Sequence, residues 1–286
     1  MKLILSRKGF DSAAGGKPSL IMPNGALISL PIPDETSPIR YQDITLGGQA
    51  LGRLVADITR GVIKPHAGAH LDPDLVASAY PRRPGWRAVF GQAGGQQTIL
   101  AREGVGPGDL FLFFGWFRQA EQHRGTLRFV KGAPNLHVLW GWLQVESVLG
   151  VPASGVPRWA GYHPHVASSA HRINNTLYIA RETLRLDGQA IHVSGAGVFP
   201  RYDHALRLTK PGSNRSIWSL PAWFAPGPCR PPLGCHGEPT RWAPAGDRVE
   251  LKSVARGQEF VLDMDRYPEA LPWVRGLLRD TKSILR

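Results

Sequence analysis

The sequence predicts one α+β domain over residues 1–286 with a strand-rich centre. Three observations carry that reading. Short apolar runs rich in β-branched and aromatic residues end at Gly, Pro, Asn or Asp. Helical periodicity is confined to two stretches. No repeat or low-complexity linker divides the chain, and its 33 glycines and 25 prolines are dispersed.

The expected strands, in order, are MKLIL, GALISLPI, DLFLFFGWF, TLRFV, LHVLWGWLQVESVL, NTLYIA, AGVF and EFVLD. QALGRLVADIT (49–59) places Leu51, Leu54, Val55 and Ile58 at helical spacing. YPEALPWVRGLLRDTKSIL predicts a second helix from about Pro268. The Pro/Gly-rich piece 221–246 predicts a long ordered loop. In the centre, Gly108-Asp109 launches an apolar strand, and a returning strand carries Gly141 in its middle. A glycine there marks a bulge or a close backbone approach.

At 42% hydrophobic the chain can bury an ordinary core. No run of eighteen apolar residues exists and no signal-peptide layout opens the chain, so a soluble cytoplasmic protein is expected. Cys229 and Cys235 alone make neither a disulfide framework nor a zinc site. Net charge is +12, spread along the chain rather than gathered in a tail. A basic globular surface points to a polyanionic partner, a nucleotide or DNA.

Three polar clusters could carry chemistry. SRKGFDSAAGGKPS (6–19) follows the first strand. It is neither a Walker loop, since Pro18 follows Gly16-Lys17, nor a GxGxxG turn. Arg7 and Lys8, with the hydroxyls of Ser6 and Ser12, could hold a phosphate. Asp11 is open to three readings: a base, a metal ligand, or an ion-pair partner for its neighbours. The second cluster is HAGAHLDPD (66–74) with HPH (163–165). His70 and Asp72 alternate around Leu71, so an extended backbone faces them the same way. His163 and His165 flank a proline and can point to one side. Together His70, Asp72, His163 and His165 form a candidate site for a divalent transition metal: iron, manganese or zinc. The third cluster is KPGSNRSIWSLPAWF (210–224), where Lys210 and Arg215 could hold phosphate and Trp218 could stack on a base.

The central stretch, GVGPGDLFLFFGWFRQ (104–119) then LHVLWGWLQVESVLG (136–150), resembles the PUA-like barrels, including EVE and ASCH domains. That resemblance implies a PUA-like barrel element and a reader of RNA or modified bases. A wider resemblance rests on SRKGFDS, PIPD, AHLDPDL, FGQAG, GDLFLFFGWF, GWLQV, HPH, NTLYIA, GAGVF, LTKPGSNRSIW and GQEFVLD. This series is similar to the third type of nucleotide modification associated domain. It implies a nucleotide or DNA base modification enzyme, with no catalytic residues to carry over. The residues then assign phosphate to the Ser6–Ser12 loop and Arg215, and acid–base or metal work to Asp11, His70 and Asp72. Two alternatives stay open: a non-catalytic reader of modified bases, and a metal-dependent enzyme acting on a small molecule or peptide.

Overall fold

The structure, a computed structural model, describes residues 1–152, 155–169, 172–255 and 257–279. Two long strands organise it. Leu110–His123 and Leu136–Val151 pair antiparallel, from Leu110↔Gln144 to Phe117↔Leu136. Residues 110–115 and 136–145 are buried without interruption. Burial on both faces is why these runs show no polar alternation. The register slips between Phe113 and Phe114, leaving Trp140 as the extra residue beside Gly141. A Cβ on Gly141 would come within 2.7 Å of Leu75 and 2.9 Å of the Gly197 carbonyl. The central glycine therefore marks both a bulge and a close approach.

Around this pair the main sheet runs, edge to edge, 259–263, 2–7, 110–123, 136–151, 175–180, 89–92. Lys2–Arg7 lies parallel to Leu110–His123, and the other neighbours in that order are antiparallel. The sheet curls into a half-barrel in a strand-rich α+β molecule. Phe90, Phe111, Phe113 and Tyr178 pack ring against ring in its core. A three-stranded sheet of Ile217–Pro221, Arg248–Lys252 and Trp242–Ala245 adds Trp218, Leu220 and Leu251 to the same core. The helix Leu51–Ile58 buries Leu51, Leu54, Val55 and Ile58 in a second cluster with Phe10 and Tyr41.

The structure adds strands the sequence pattern did not mark, among them Val89–Gln92, Thr183–Leu186, Gln189–Ser194, Ile217–Pro221 and Arg248–Lys252, and departs from expectation elsewhere too. GALISLPI forms only the strand Leu27–Ile28, because prolines at 31 and 33 remove ladder donors beyond it. Gly94–Arg102 is a helix the pattern did not announce, since two glycines and two glutamines open it and only Gln97 and Leu100 are buried. The stretch 221–246 is not one long loop, because its end supplies the strand Trp242–Ala245. The C-terminal helix spans Ala270–Arg279, beginning two residues after the expected Pro268, and positions 280–285 of its pattern lie outside the described residues. Among the described residues no helix is long and apolar enough to cross a membrane.

Candidate metal centre and its cavity

Two loops and two strand ends converge beyond the edge of the main sheet. The segment around Pro33 runs antiparallel to that around Ala69, with the His70 amide donating to the Ile32 carbonyl at 2.9 Å. This sets His70 opposite Asp34. The strand Val89–Gln92 presents the Gly91 amide to Asp72, which accepts through Oδ1 at 2.7 Å. His163 caps the short helix Pro164–Ala167, its Nδ1 accepting from the His165 amide at 3.3 Å. The strand Asn175–Ala180 begins at Asn175, which faces His165.

Each imidazole has a defined partner. His70 Nδ1–H donates to Asp34 Oδ2 at 2.7 Å. The amide of Asn175 is oriented by its own donation to the His165 carbonyl at 2.6 Å. Its Oδ1 therefore accepts from His165 Nδ1–H, also at 2.6 Å. His165 therefore presents a lone pair on Nε2, and so does His70 in its neutral form, since each ring spends its one proton on Nδ1. These lone pairs point at Asp72 Oδ2, 3.9 Å from His70 and 3.7 Å from His165. The three atoms lie within 4.8 Å of one another. His163 Nε2 lies 3.3 Å from the other oxygen, Oδ1.

The electrostatics agree. Burial pushes the His165 imidazole down to about 3, with Asp72 opposing, so it stays neutral. Burial raises the Asp72 carboxyl, while the hydrogen bond from His163, and positive charge wherever a surrounding histidine is protonated, pull it below the usual carboxylate range. The His70 hydrogen bond likewise holds Asp34 below that range, against burial. Behind the cluster, the fully buried Asp74 accepts from Arg82 at 2.5 and 2.7 Å and from the Tyr162 hydroxyl. Arg82 lies over Trp86 and Tyr162, tying the loop after Asp72 to the residue before His163.

The cluster opens on a polar cavity of about 600 Å³ lined by His70, Asp72 and His165 on one side and by Arg7, Lys8 and Asp11 on another. Two apolar cavities, about 610 and 320 Å³, adjoin at Leu75 and Val76. The smaller shares Gly9 and Asp72 with the polar cavity but includes none of the histidines of the cluster. Convergent titratable groups make the polar cavity the candidate site.

A family model for nucleotide modification associated domain 3 matches residues 2–263. The chain belongs to that family. No curated protein and no solved structure matches the chain.

For this family member the predicted site residues divide as follows. His70, Asp72, His163 and His165 come together, and Asp11 lines the cavity that His70, Asp72 and His165 also line. The Asp11 carboxylate accepts from the Ala13 and Ala14 amides at 2.7 Å, closing its own turn. Arg7 lines the cavity while donating to the carbonyls of Val254, Ala255 and Gly257. Lys8 lines it too, donating to the buried Glu259 at 2.9 Å. Ser12 accepts from Arg215 at 2.6 Å, and that guanidinium lies 4.1 Å over Trp116. Lys210 pairs with Glu250 and does not line the cavity.

Two assignments are corrected. Ser6 is fully buried and donates to Glu259 at 3.1 Å, so its hydroxyl has no face for a phosphate. Trp218 is also fully buried, its indole N–H donating to His137 at 2.9 Å, and cannot stack on a base. Trp218 follows strand alternation into the core, whereas Ser6 lies in a strand buried continuously from Leu3 to Ser6. Sequence reasoning missed Asp34, Asn175, Gly91 and Trp116. A signal existed for three of them: Asp34 in PIPD, Gly91 in FGQAG and Asn175 in NTLYIA all lie in segments that carry the family resemblance.

Proposed function

We propose that this protein is an enzyme that modifies a nucleotide, or a base in DNA, at a divalent transition metal held by His70, Asp72 and His165. The observation that supports this most is the convergence of three acceptor atoms with no donor among them. Two imidazole lone pairs and one carboxylate oxygen face each other within 4.8 Å. Such an arrangement is repulsive unless a metal ion, or a proton on one of the rings, lies between them. Metal–ligand bonds of about 2.0–2.2 Å need ligand atoms no more than about 4.4 Å apart, a contraction of a few tenths of an ångström from the widest spacing. Nitrogen and carboxylate donors suit iron(II), manganese or zinc better than calcium. Such an ion polarises a bound oxygen or lowers the pKa of a bound water.

The rest of the cavity supports the substrate class. Arg7 and Lys8 supply cationic groups, and Arg215 extends them through Ser12 to the half-exposed Trp116. Arg with an aromatic ring suits a phosphate and a base together. The +12 charge favours the same partner. The strands 110–123 and 136–151 are the part we read as a PUA-like element, which would present nucleic acid to this cavity.

Elemental analysis of protein expressed with iron, manganese and zinc tests the reading. About one ion per chain is expected, lost in His70→Ala, with a rise in melting temperature when the ion is added back. No retained ion and no thermal shift with any of the three would sink the metal reading and leave a non-catalytic reader in its place.

A further inference from the structure

His163 differs from the other two histidines in the nitrogen it spends on its neighbours. His70 and His165 each donate through Nδ1, which leaves Nε2 bare. His163 does the reverse, since its Nδ1 accepts the His165 amide at the helix cap. Its single proton is therefore on Nε2. That nitrogen is buried, meets no acceptor in full hydrogen-bond geometry, and has Asp72 Oδ1 at 3.3 Å. The Gly91 amide reaches the same oxygen at 2.7 Å. Donors thus gather on Oδ1 and bare acceptors on Oδ2.

We infer that His163 is a positioning residue and not a ligand: its Nε2–H holds Asp72 Oδ1, so that Asp72 meets the ion through Oδ2 alone. The inference rests on the metal reading above. For His163 to ligate through Nε2, its proton would have to move to Nδ1. The His165 amide would then face a donor instead of an acceptor, and the helix would lose its cap. The consequence is chemical. Four protein ligands would close a tetrahedral structural site, whereas two imidazoles and one carboxylate oxygen leave positions open. The three residues that would hold the ion all line the polar cavity, from which a substrate or water could reach it. His163 is fully buried and does not line it.

The test is a ligand count on the intact chain loaded with zinc(II), by X-ray absorption, and with cobalt(II), by its optical spectrum. Two imidazoles are expected in the wild type and again in His163→Gln, whose amide N–H can still donate to Oδ1. His163→Ala should weaken zinc affinity about 10–100-fold, the range for loss of a group that orients a ligand, and His163→Gln should recover much of it. Three imidazoles in the wild type, falling to two in His163→Gln, would make His163 a ligand and overturn the inference. Unchanged affinity in a folded His163→Ala would overturn the positioning role. The wild-type count decides even where a variant fails to fold. Absence of any bound zinc or cobalt in the wild type would overturn the metal reading first, and this inference with it.

Discussion

Gly91→Ala should disable the candidate metal centre without replacing a ligand. A Cβ at position 91 would lie 2.4 Å from both Cγ and Cδ2 of His165 and 2.9 Å from its Nδ1. Carbon atoms pack at roughly 3.5 Å or more, so the deficit is about 1.1 Å. The ring has little room to yield. It is 3% exposed, and its Nδ1 is held by Asn175 at 2.6 Å. The strand cannot yield easily either, because Gly91 pairs with Leu177 in the sheet and its amide holds Asp72. Overpacking of this kind costs about 1–3 kcal/mol. A metal site tolerates displacements of only about 0.2 Å in its ligand distances. A shift near 1 Å at His165 should therefore lower affinity by more than the about 10–100-fold typical of losing an outer hydrogen bond. Competition against a chromophoric chelator measures the affinity, and a thermal melt measures the stability. Wild-type zinc affinity and an unchanged melting temperature in Gly91→Ala would refute the seating of His165 on Gly91.

Three further outcomes follow from the same structure. Burial pushes His137 down to about 3 and His236 to about 4, so both fold neutral, while the unfolded chain takes a proton on each below about pH 6.5. Stability should therefore fall as pH drops from about 6.5 towards 4, by up to about 1.4 kcal/mol per pH unit for each histidine, and melts that stay flat between pH 7 and 5 would contradict it. Trp218→Phe leaves the His137 acceptor without its donor and should cost about 1–3 kcal/mol in denaturant titrations, with nucleotide affinity unchanged. Arg215→Glu should weaken nucleotide or DNA binding and reduce its salt dependence, whereas Lys210→Glu, whose lysine is spent on Glu250, should alter binding far less; equal losses in the two variants would remove the Ser12–Trp116 shelf from the binding surface.

Much of the fold was legible because burial writes itself into sequence. The runs at 110–117 and 136–145 are apolar without alternation because both faces of their strands are covered. Gly141 stood out because a side chain there has nowhere to go. The helix Gly94–Arg102 was illegible for the opposite reason: it buries only Gln97 and Leu100, so it has no apolar stripe to read. Trp218 and Arg215 show the limit of composition. They sit three residues apart, yet Trp218 points into the core while Arg215 crosses to Ser12, and a list of aromatic and basic residues cannot separate them.

The metal cluster shows where legibility ends within a motif. His-Pro-His announced two imidazoles that could point one way, and they do reach one carboxylate. Their tautomers, however, are not readable from the three residue types alone. Asn175, ten residues on at the start of the strand Asn175–Ala180, puts the proton of His165 on Nδ1. The helix that Pro164 begins turns the His165 amide back onto His163 and puts that proton on Nε2. Asp34, from another loop, decides His70 in the same way as Asn175 decides His165. Spacing can bring ligand types together, but which nitrogen carries a lone pair depends on the donors and acceptors that the fold brings to each ring. Asp34→Asn and Asn175→Asp should accordingly act in different ways. Asp34→Asn offers His70 an amide that can turn either its oxygen or its N–H₂ to the ring, so the tautomer is no longer fixed. Asn175→Asp keeps an acceptor for His165 Nδ1–H but gives up the Nδ2 donation to the His165 carbonyl and places a charge in a buried position. Zinc affinity should fall in Asp34→Asn with stability nearly kept, and stability should fall first in Asn175→Asp. The opposite ranking, measured by chelator competition and thermal melts on the two variants, would mean that burial and not tautomer choice governs the centre.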